Sequence, residues 1–336
     1  MIGILVRVLV VASQVFLSAC FHGEDKVETA DEQIIERISL GSGSQASLFY
    51  IAGNAICQTL AKGKETGKIP CESLVSDGST HNLLALQEGK VEFGIARADT
   101  VYRAWYGQAP FKERFTKLRV LFALNQEVVT LVVPKDADVT TFRSVSGRKI
   151  HVDISEPDNE RVVLELLKTC KISTSDLTLV DDKKMERLSQ GLSRRASDSF
   201  FSLLSHPDDA LTIVARAHPL GVLPLTESCI EKMVDERSYY DRAVIPGAIY
   251  PGVSTSVPSF GVRLWVLTTI DVSEKAAHLI AEGVFEHLDE LRQNHPAFHH
   301  LSPKEMLPQF SVPYHNGALK YYAEKGWFSI EGKQGP

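Results

Sequence analysis

Short apolar stretches alternate along this chain with polar loops and with segments whose apolar residues recur at helical spacing. A strand is predicted at 38–40, a loop rich in glycine and serine at 41–47, and a helix at 48–62. The same order of strand, loop and helix returns over 69–87, and a third strand is predicted at 91–95. Repeated β-loop-α units of this kind predict an α/β fold with a largely parallel sheet.

A second series of such units begins with a strand at 149–153 and a helix at 159–169. Three β-rich stretches flank this series at 118–124, 128–133 and 257–268, and they predict strands that cross between two lobes. A helix that Ser273 caps, predicted at 274–294, returns the chain to the first lobe. We therefore expect a bilobal hinge architecture, with lobe I at 34–125 plus 258–336 and lobe II at 126–257.

The amino terminus has the pattern of an export signal. One positive charge lies within 1–7, ten mostly apolar residues follow at 8–17, and the next residues lead to Cys20. Such a run is too short to span a bilayer. Because Leu17-Ser-Ala-Cys resembles a bacterial lipobox, we predict a signal peptide at 1–19, a lipidated Cys20, an acidic tether at 20–33 and a membrane-anchored periplasmic protein. A soluble periplasmic product is the alternative.

The composition is that of a water-soluble domain and excludes one class of partner. The 336 residues include 44% hydrophobic and 23% charged residues, and the formal net charge is −6. The only basic cluster is Arg194-Arg195, which gives nucleic acid nothing to bind. The histidines 295, 299 and 300 follow a predicted helix end and are interpreted as a solvated group, so no metal and no cofactor is expected. A monomer is expected.

Four cysteines follow Cys20, and an oxidising compartment allows them to form disulfides. Cys57 and Cys71 can close a short loop between the first helix and the next strand, stabilising it by roughly 3 kcal/mol. Cys170 and Cys229 can form a second bridge. Buried free thiols are the alternative for both pairs.

Two polar loops are predicted to meet at one edge of the sheet, where open α/β folds bind small ligands. In the first, at 76–80, Gly78 permits a tight turn and Ser79 can cap the following helix, which includes Asn82, or hold an anion. The second ends a strand with Arg97 and Asp99. An inward-facing guanidinium would bind a carboxylate bidentately, whereas an outward-facing one is a solvated surface charge.

The loop before the first helix adds three further candidates. Ser44 and Ser47 supply hydroxyls next to the free N–H groups of a helix start, which is a favourable position for a carboxylate. Helix capping alone explains one of these serines. Tyr50 can turn into the cleft or pack in the core with one hydrogen bond.

Several of these segments resemble a known family of receptors. The most specific is Pro313-Tyr-His-Asn-Gly-Ala-Leu-Lys-Tyr-Tyr-Ala-Glu-Lys-Gly-Trp327; the others are Gly41-Ser-Gly-Ser with Tyr50 and Gly53, Cys57 and Cys71, Asp77-Gly-Ser79 with Asn82, Gly89-Lys-Val-Glu-Phe-Gly94 and Ile245-Pro-Gly-Ala-Ile-Tyr-Pro-Gly252. Together they are similar to the TAXI family, the extracytoplasmic solute receptors of tripartite ATP-independent periplasmic (TRAP) transporters. The resemblance covers nearly all of 38–328.

This resemblance implies a type II periplasmic binding protein fold and no catalysis. It also implies that the chain captures a small anionic or zwitterionic solute, either an organic acid or an amino acid such as glutamate. The solute would then be delivered to a TRAP membrane permease that an ion gradient drives.

Three segments depart from the family pattern at the expected cleft. Residues 153–161 contain no glycine and four carboxylates, which would repel an anion unless Arg161 compensates. Gln126-Glu127-Val128 replaces a more usual Pro-Glu-Pro, and Ser205-His206-Pro207 keeps only part of another cleft segment. The remaining ligand-binding candidates are Glu127, Arg161 and His206 from these segments and Tyr250 from the 245–252 motif. The solute is therefore expected to carry an amine as well as a carboxylate.

Two other functions remain as alternatives. A ligand-sensing or scaffold lipoprotein would share the fold and feed no transporter. A dinucleotide-dependent oxidoreductase is more remote: residues 41–46 match the Gly-x-Gly-x-x-Ala outline, with Glu72 about where a ribose-binding acid would lie, but the motif is weak. A hydrolase would need a nucleophile elbow, and the sequence contains no Gly-x-Ser-x-Gly.

Overall fold

A computed structural model describes residues 37–45, 47–63, 69–148, 150–153, 157–175, 177–180 and 199–328. The predicted signal peptide, Cys20 and the tether lie outside these residues, as does the helix that the pattern indicates near 184–191. Within the described part, no helix is both long enough and apolar enough to cross a membrane.

Ten strands of the described residues form one mixed sheet in the order β2-β1-β3-β10-β4-β7-β5-β6, with β8 paired to β4 and β9 paired to β10. The strands are β1 (Ile38–Gly41), β2 (Cys71–Leu74), β3 (Phe93–Arg97), β4 (Leu118–Pro134), β5 (Ile150–Asp153), β6 (Leu177–Val180), β7 (Ser199–Leu204), β8 (Leu220–Leu223), β9 (Tyr240–Ile245) and β10 (Val257–Thr269). Parallel pairing within β1–β3 and within β5–β7 confirms the α/β class.

Helices connect these strands. They are α1 (Leu48–Leu60), α2 (Ser79–Gln87), α3 (Ala98–Tyr106), α4 (Pro157–Thr169), α5 (Asp209–Ala217), α6 (Ser228–Glu236), α7 (Glu274–Glu286), α8 (Leu288–Asn294), α9 (Pro303–Met306) and α10 (Asn316–Glu324), with 3-10 turns at Phe142–Val145 and Pro296–Phe298. The predicted helix at 274–294 is interrupted at His287, where α7 ends and α8 begins.

Two long antiparallel strands connect the two groups of parallel strands. β4 pairs with β10 from Leu118 to Val128 and then with β7 and β8, whereas β10 pairs with β3 at one end and with β9 at the other. Long strands shared between the two groups are consistent with the predicted crossing strands, and their role as a hinge remains a prediction. The prediction of a strand pair at 118–124 and 128–133 was wrong: β4 continues through the polar residues 125–127, because Gln126 and Glu127 pair with Arg263 and Val262 of β10.

The core extends across the long strands on one face of the sheet. One buried cluster contains Leu83 and Trp265 from predicted lobe I together with Val163, Leu167 and Phe201 from predicted lobe II. Residues 35–336 correspondingly form one compact unit. The lobe boundaries remain a prediction.

Two disulfides join neighbouring elements, as predicted. Cys57 of α1 is bonded to Cys71 of β2, and Cys170, directly after α4, is bonded to Cys229 of α6. Each pair has a Cα–Cα separation of 5.2 Å, within the usual range. The second bridge encloses 59 residues in sequence and fixes the carboxyl end of α4.

Candidate functional site

The two polar loops that the sequence placed at one sheet edge do meet. Gly78 adopts φ +87°, a conformation that favours glycine, and α2 begins at the next residue. The Ser79 hydroxyl accepts a hydrogen bond from the Arg97 N–H at 3.1 Å. The start of α2 is thereby joined to the end of β3.

Asn82 connects two strand ends through its side-chain amide. Its Nδ2 donates to the carbonyls of Ser42, at 2.6 Å, and Ile95, at 2.8 Å. The side chain lies so close to Gly41 that a Cβ there would be 2.7 Å from Asn82 Oδ1. This packing explains the first glycine of the dinucleotide-like outline, and it gives Asn82 a structural role at the edge.

Arg97 faces inward and is 1% exposed. Its guanidinium is bound bidentately by Asp99, with Nε–Oδ1 at 3.2 Å and Nη2–Oδ2 at 3.1 Å. Nη1 also donates to Asn159 Oδ1 at 2.7 Å and lies 3.8 Å from a carboxylate oxygen of Glu127. Nη2 makes a further bond to the carbonyl of Asp158 at 3.0 Å. Protein groups therefore occupy the donors with which Arg97 was expected to bind a solute.

The first turn of α4 supplies the other side of this cluster. The Asp158 carboxylate accepts hydrogen bonds from Thr80 of α2, at 3.3 Å, and Thr100 of α3, at 3.0 Å. Arg161 Nη2 reaches Asp158 at 2.7 Å and Asp99 at 3.3 Å. The facing loop is therefore compensated by Arg161, and α4 is bound directly to the helices that follow β2 and β3.

Electrostatics of the cluster favour the charged forms of its central pair. Burial alone would lower the pKa of Arg97, but the nearby Asp99, Asp158 and Glu127 carboxylates raise it overall. Burial acts to raise the pKa of Asp99, and the guanidinium groups of Arg97 and Arg161 more than reverse this, so the pKa of Asp99 is lowered. Two guanidinium groups and three carboxylates leave a net charge of one negative unit.

The start of α1 contains the candidates Ser44, Ser47 and Tyr50. Their hydrogen bonds to one another are separate from those of the charged cluster. Ser47 caps the helix: its hydroxyl accepts from the Tyr50 N–H at 3.4 Å and donates to the Ser44 carbonyl at 2.7 Å. Ser44 is exposed and Tyr50 is half-buried. The capping interpretation holds for Ser47, and Tyr50 remains partly exposed.

His206 and Tyr250 form a second polar group, between β7 and the loop after β9. The Tyr250 hydroxyl accepts from the Asp208 N–H at 2.7 Å and lies 2.7 Å from His206 Nδ1, while His206 Nε2 lies 2.9 Å from the Thr130 hydroxyl. Burial lowers the pKa of His206 to about 4 and raises that of Tyr250. A neutral imidazole with Nε2–H satisfies every contact, because Tyr250 then donates to Nδ1 and Thr130 accepts.

Four residues of the site were not predicted as ligand-binding: Thr80, Thr100, Asp158 and Asn159. Asp158 belongs to the acidic stretch that the sequence marked as unusual, but its partners lie 58 and 78 residues away. Asn125 was also missed; it is 2% exposed, and its Oδ1 finds no hydrogen-bond partner among the described residues. The described residues contain no group of three or more side chains placed to hold a metal ion.

Solved structures similar to this chain include periplasmic binding proteins. One is the periplasmic aliphatic sulphonate binding protein SsuA from Escherichia coli, with 11% identity over 77% of this chain and 78% of that chain and a TM-score of 0.45. Another, a putative periplasmic sulfonate-binding protein SsuA from Methylobacillus flagellatus KT, has 14% identity over 87% and 86% and a TM-score of 0.47. A putative L-cystine ABC transporter protein from Listeria monocytogenes has 12% identity over 79% and 96% and a TM-score of 0.44.

A family model matches most of the sequence. The match extends over residues 40–326, from the end of β1 to the residue before Trp327, and so includes both groups of polar residues described above. This chain belongs to the NMT1-like family.

Proposed function

We propose that this protein is a non-enzymatic extracytoplasmic receptor that binds a small solute and delivers it to a membrane permease. The observation that carries the proposal is the position of Arg97 and Asn159. Arg97 is the last residue of β3, Asn159 lies in the first turn of α4, which follows β5, and their side chains are 2.7 Å apart. The carboxyl edges of the two strand groups therefore face each other, and small ligands bind at such edges in open α/β folds.

The solute is a small organic acid or an amino acid such as glutamate, and the permease is of the TRAP type. The proposed solute-binding side chains are Ser44, Ser47, Tyr50, Glu127 and His206, whereas the guanidinium groups of Arg97 and Arg161 are bound by carboxylates of this chain. The amino-acid class is supported by the Glu127 carboxylate as a partner for the amine and by the N–H groups at the start of α1 as partners for the carboxylate. Membrane anchoring through Cys20 would keep the receptor near its permease.

A thermal-shift screen of the purified protein against amino acids, organic acids and sulfonates tests solute binding. A cognate solute should raise Tm in proportion to the logarithm of its concentration above Kd. Tyr50→Phe should weaken this response, because the half-buried ring keeps its packing while the hydroxyl is removed. Tyr106→Phe is the matched control on an exposed tyrosine. A flat response across the library would overturn the receptor proposal.

The permease type needs a separate measurement. Uptake of the identified solute into vesicles that contain the candidate permease should require both this protein and an ion gradient. Uptake that requires ATP hydrolysis instead would replace the TRAP proposal with an ABC-type importer. Solute binding without uptake by either permease would favour the second candidate, a ligand-sensing or scaffold lipoprotein.

A further inference from the structure

The Asp158 carboxylate lies in surroundings that are typical of a bound anionic ligand. It is contributed by α4, but two of its donors, the hydroxyls of Thr80 and Thr100, lie in the first turns of α2 and α3. The third is Arg161 Nη2 at 2.7 Å. Asp158 is 6% exposed, so these bonds are shielded from water.

These donors would suit a free carboxylate equally well. Both α2 and α3 have nine residues, and the free N–H groups and partial positive charge at a helix start favour an anion. Arg161 adds a full positive charge, and its Nε is a buried donor without an acceptor among the described residues. The guanidinium of Arg97 lies alongside, held by Asp99 and the Asp158 carbonyl.

We propose that Asp158 is an internal carboxylate that occupies the anion site at this sheet edge and keeps free anionic groups out of it. Because the carboxylate is tethered through α4, its effective concentration at the site exceeds that of a dilute solute. The net negative charge of the cluster, with Glu127 and Asp99 beside it, further opposes a second anion. Removal of the Asp158 carboxylate therefore opens a site for a small carboxylate.

For the receptor, this means that the carboxylate of an amino-acid solute binds away from Arg97 and Arg161. The start of α1, with Ser44, Ser47 and their neighbouring N–H groups, is a further helix start that follows a parallel strand. This consequence rests on the proposed solute-binding function. The occupancy of the anion site by Asp158 does not rest on solute binding, so either proposal can fail without the other.

The test compares acetate with chloride, at equal ionic strength, on the full chain and on Asp158→Ser. Serine removes the carboxylate, leaves room for acetate and retains a hydroxyl in the first turn of α4. We expect acetate to raise the Tm of Asp158→Ser by several degrees and in a saturable way, while the unsubstituted protein shows no such rise. Equal responses of the two proteins would overturn the proposal.

Asp241→Ser is the matched control, because Asp241 also pairs with an arginine, Arg263 at 3.2 Å, but within the described part of the chain no hydroxyl from a helix start donates to it. An acetate response of Asp241→Ser equal to that of Asp158→Ser would also overturn the proposal. If Asp158→Ser is unfolded in chloride, acetate should restore its far-UV circular dichroism; no recovery would contradict the proposal. The solute screen uses the protein with Asp158 in place, so its failure would leave this result unaffected.

Discussion

At Arg97, a full positive charge is withdrawn from solvent and surrounded by groups of this chain. Breaking a buried ion pair by removing one partner leaves the other charge uncompensated, which costs about 3–5 kcal/mol. We therefore expect Arg97→Met to lower the free energy of unfolding by roughly that amount, since Asp99 would lose its bidentate partner. Urea denaturation measures this loss.

Arg97→Lys separates charge from geometry. An ammonium group cannot reproduce the bidentate contact with Asp99 together with the bonds to Asn159 and Asp158. Lysine should therefore recover only part of the stability that methionine loses. Unchanged stability of both Arg97→Met and Arg97→Lys would contradict a structural role for Arg97. Its guanidinium would then be available for a ligand.

His206 makes stability depend on pH. Its pKa is lowered from 6.5 to about 4 in the folded protein, because burial disfavours the charged ring. The unfolded chain therefore binds the proton first as pH falls: the contribution is fully present above pH 6.5 and is lost towards pH 4. Between pH 7 and pH 5 the loss amounts to about 2 kcal/mol.

Urea denaturation of His206→Gln at pH 7 and pH 5 tests this assignment. The variant should lose less stability over this interval than the unsubstituted protein, because the imidazole that titrates is gone. His81→Gln, on an exposed histidine of α2, serves as the control for the substitution itself. The same slope in the protein with and without His206 would contradict the prediction.

Among the elements, α4 is held at both ends and along its length. Its first turn binds α2 and α3 through Asp158, Glu165 accepts from Arg237 at 2.5 Å and Tyr240 at 2.8 Å, and Cys170 is bonded to Cys229. The second bridge encloses a longer loop than Cys57–Cys71, 59 residues against 14. A longer closed loop restricts the unfolded chain more strongly.

Replacing Cys170 and Cys229 by serine should therefore lower the free energy of unfolding by about 4 kcal/mol, against about 3 kcal/mol for the Cys57 and Cys71 pair. Denaturant unfolding without reductant provides the comparison. In the presence of a reductant the unsubstituted protein and each double variant should become nearly equal. A difference that persists in reductant would mean that the serines disturb packing instead.

The loops that form the site could be predicted from the sequence, but the residues that they contact could not. Local rules place Gly78 in a turn, Ser47 at a helix start and Arg97 at a strand end, since each depends on a few adjacent residues. The contact of Asp158 with Thr80 depends on how β5 and α4 are placed in the finished sheet. The acidic pattern at 153–161 indicated an unusual loop and predicted repulsion, whereas the fold supplies neutralising donors.

At the scale of the whole molecule, the shared core bears on whether the two predicted lobes behave as separate bodies. The cluster that contains Leu83 of α2 and Leu167 of α4 is continuous across the long strands, and both side chains are completely buried. Lobes that share buried apolar surface cannot unfold separately without exposing it. We therefore expect residues 35–336 to unfold as one cooperative unit.

Calorimetry of the full chain should accordingly show one transition whose calorimetric and van't Hoff enthalpies agree. Leu83→Ala and Leu167→Ala, one in each predicted lobe, form the matched pair. Each should cost roughly 2–5 kcal/mol and move the same single transition to lower temperature, because each cavity weakens a core that both lobes share.

If Leu83→Ala instead split off a low-temperature transition that Leu167→Ala left in place, the lobes would be thermodynamically separate. The arginine and carboxylate cluster at the sheet edge would then connect them in addition to β4 and β10, and Asp158→Ser should widen the separation of the two transitions.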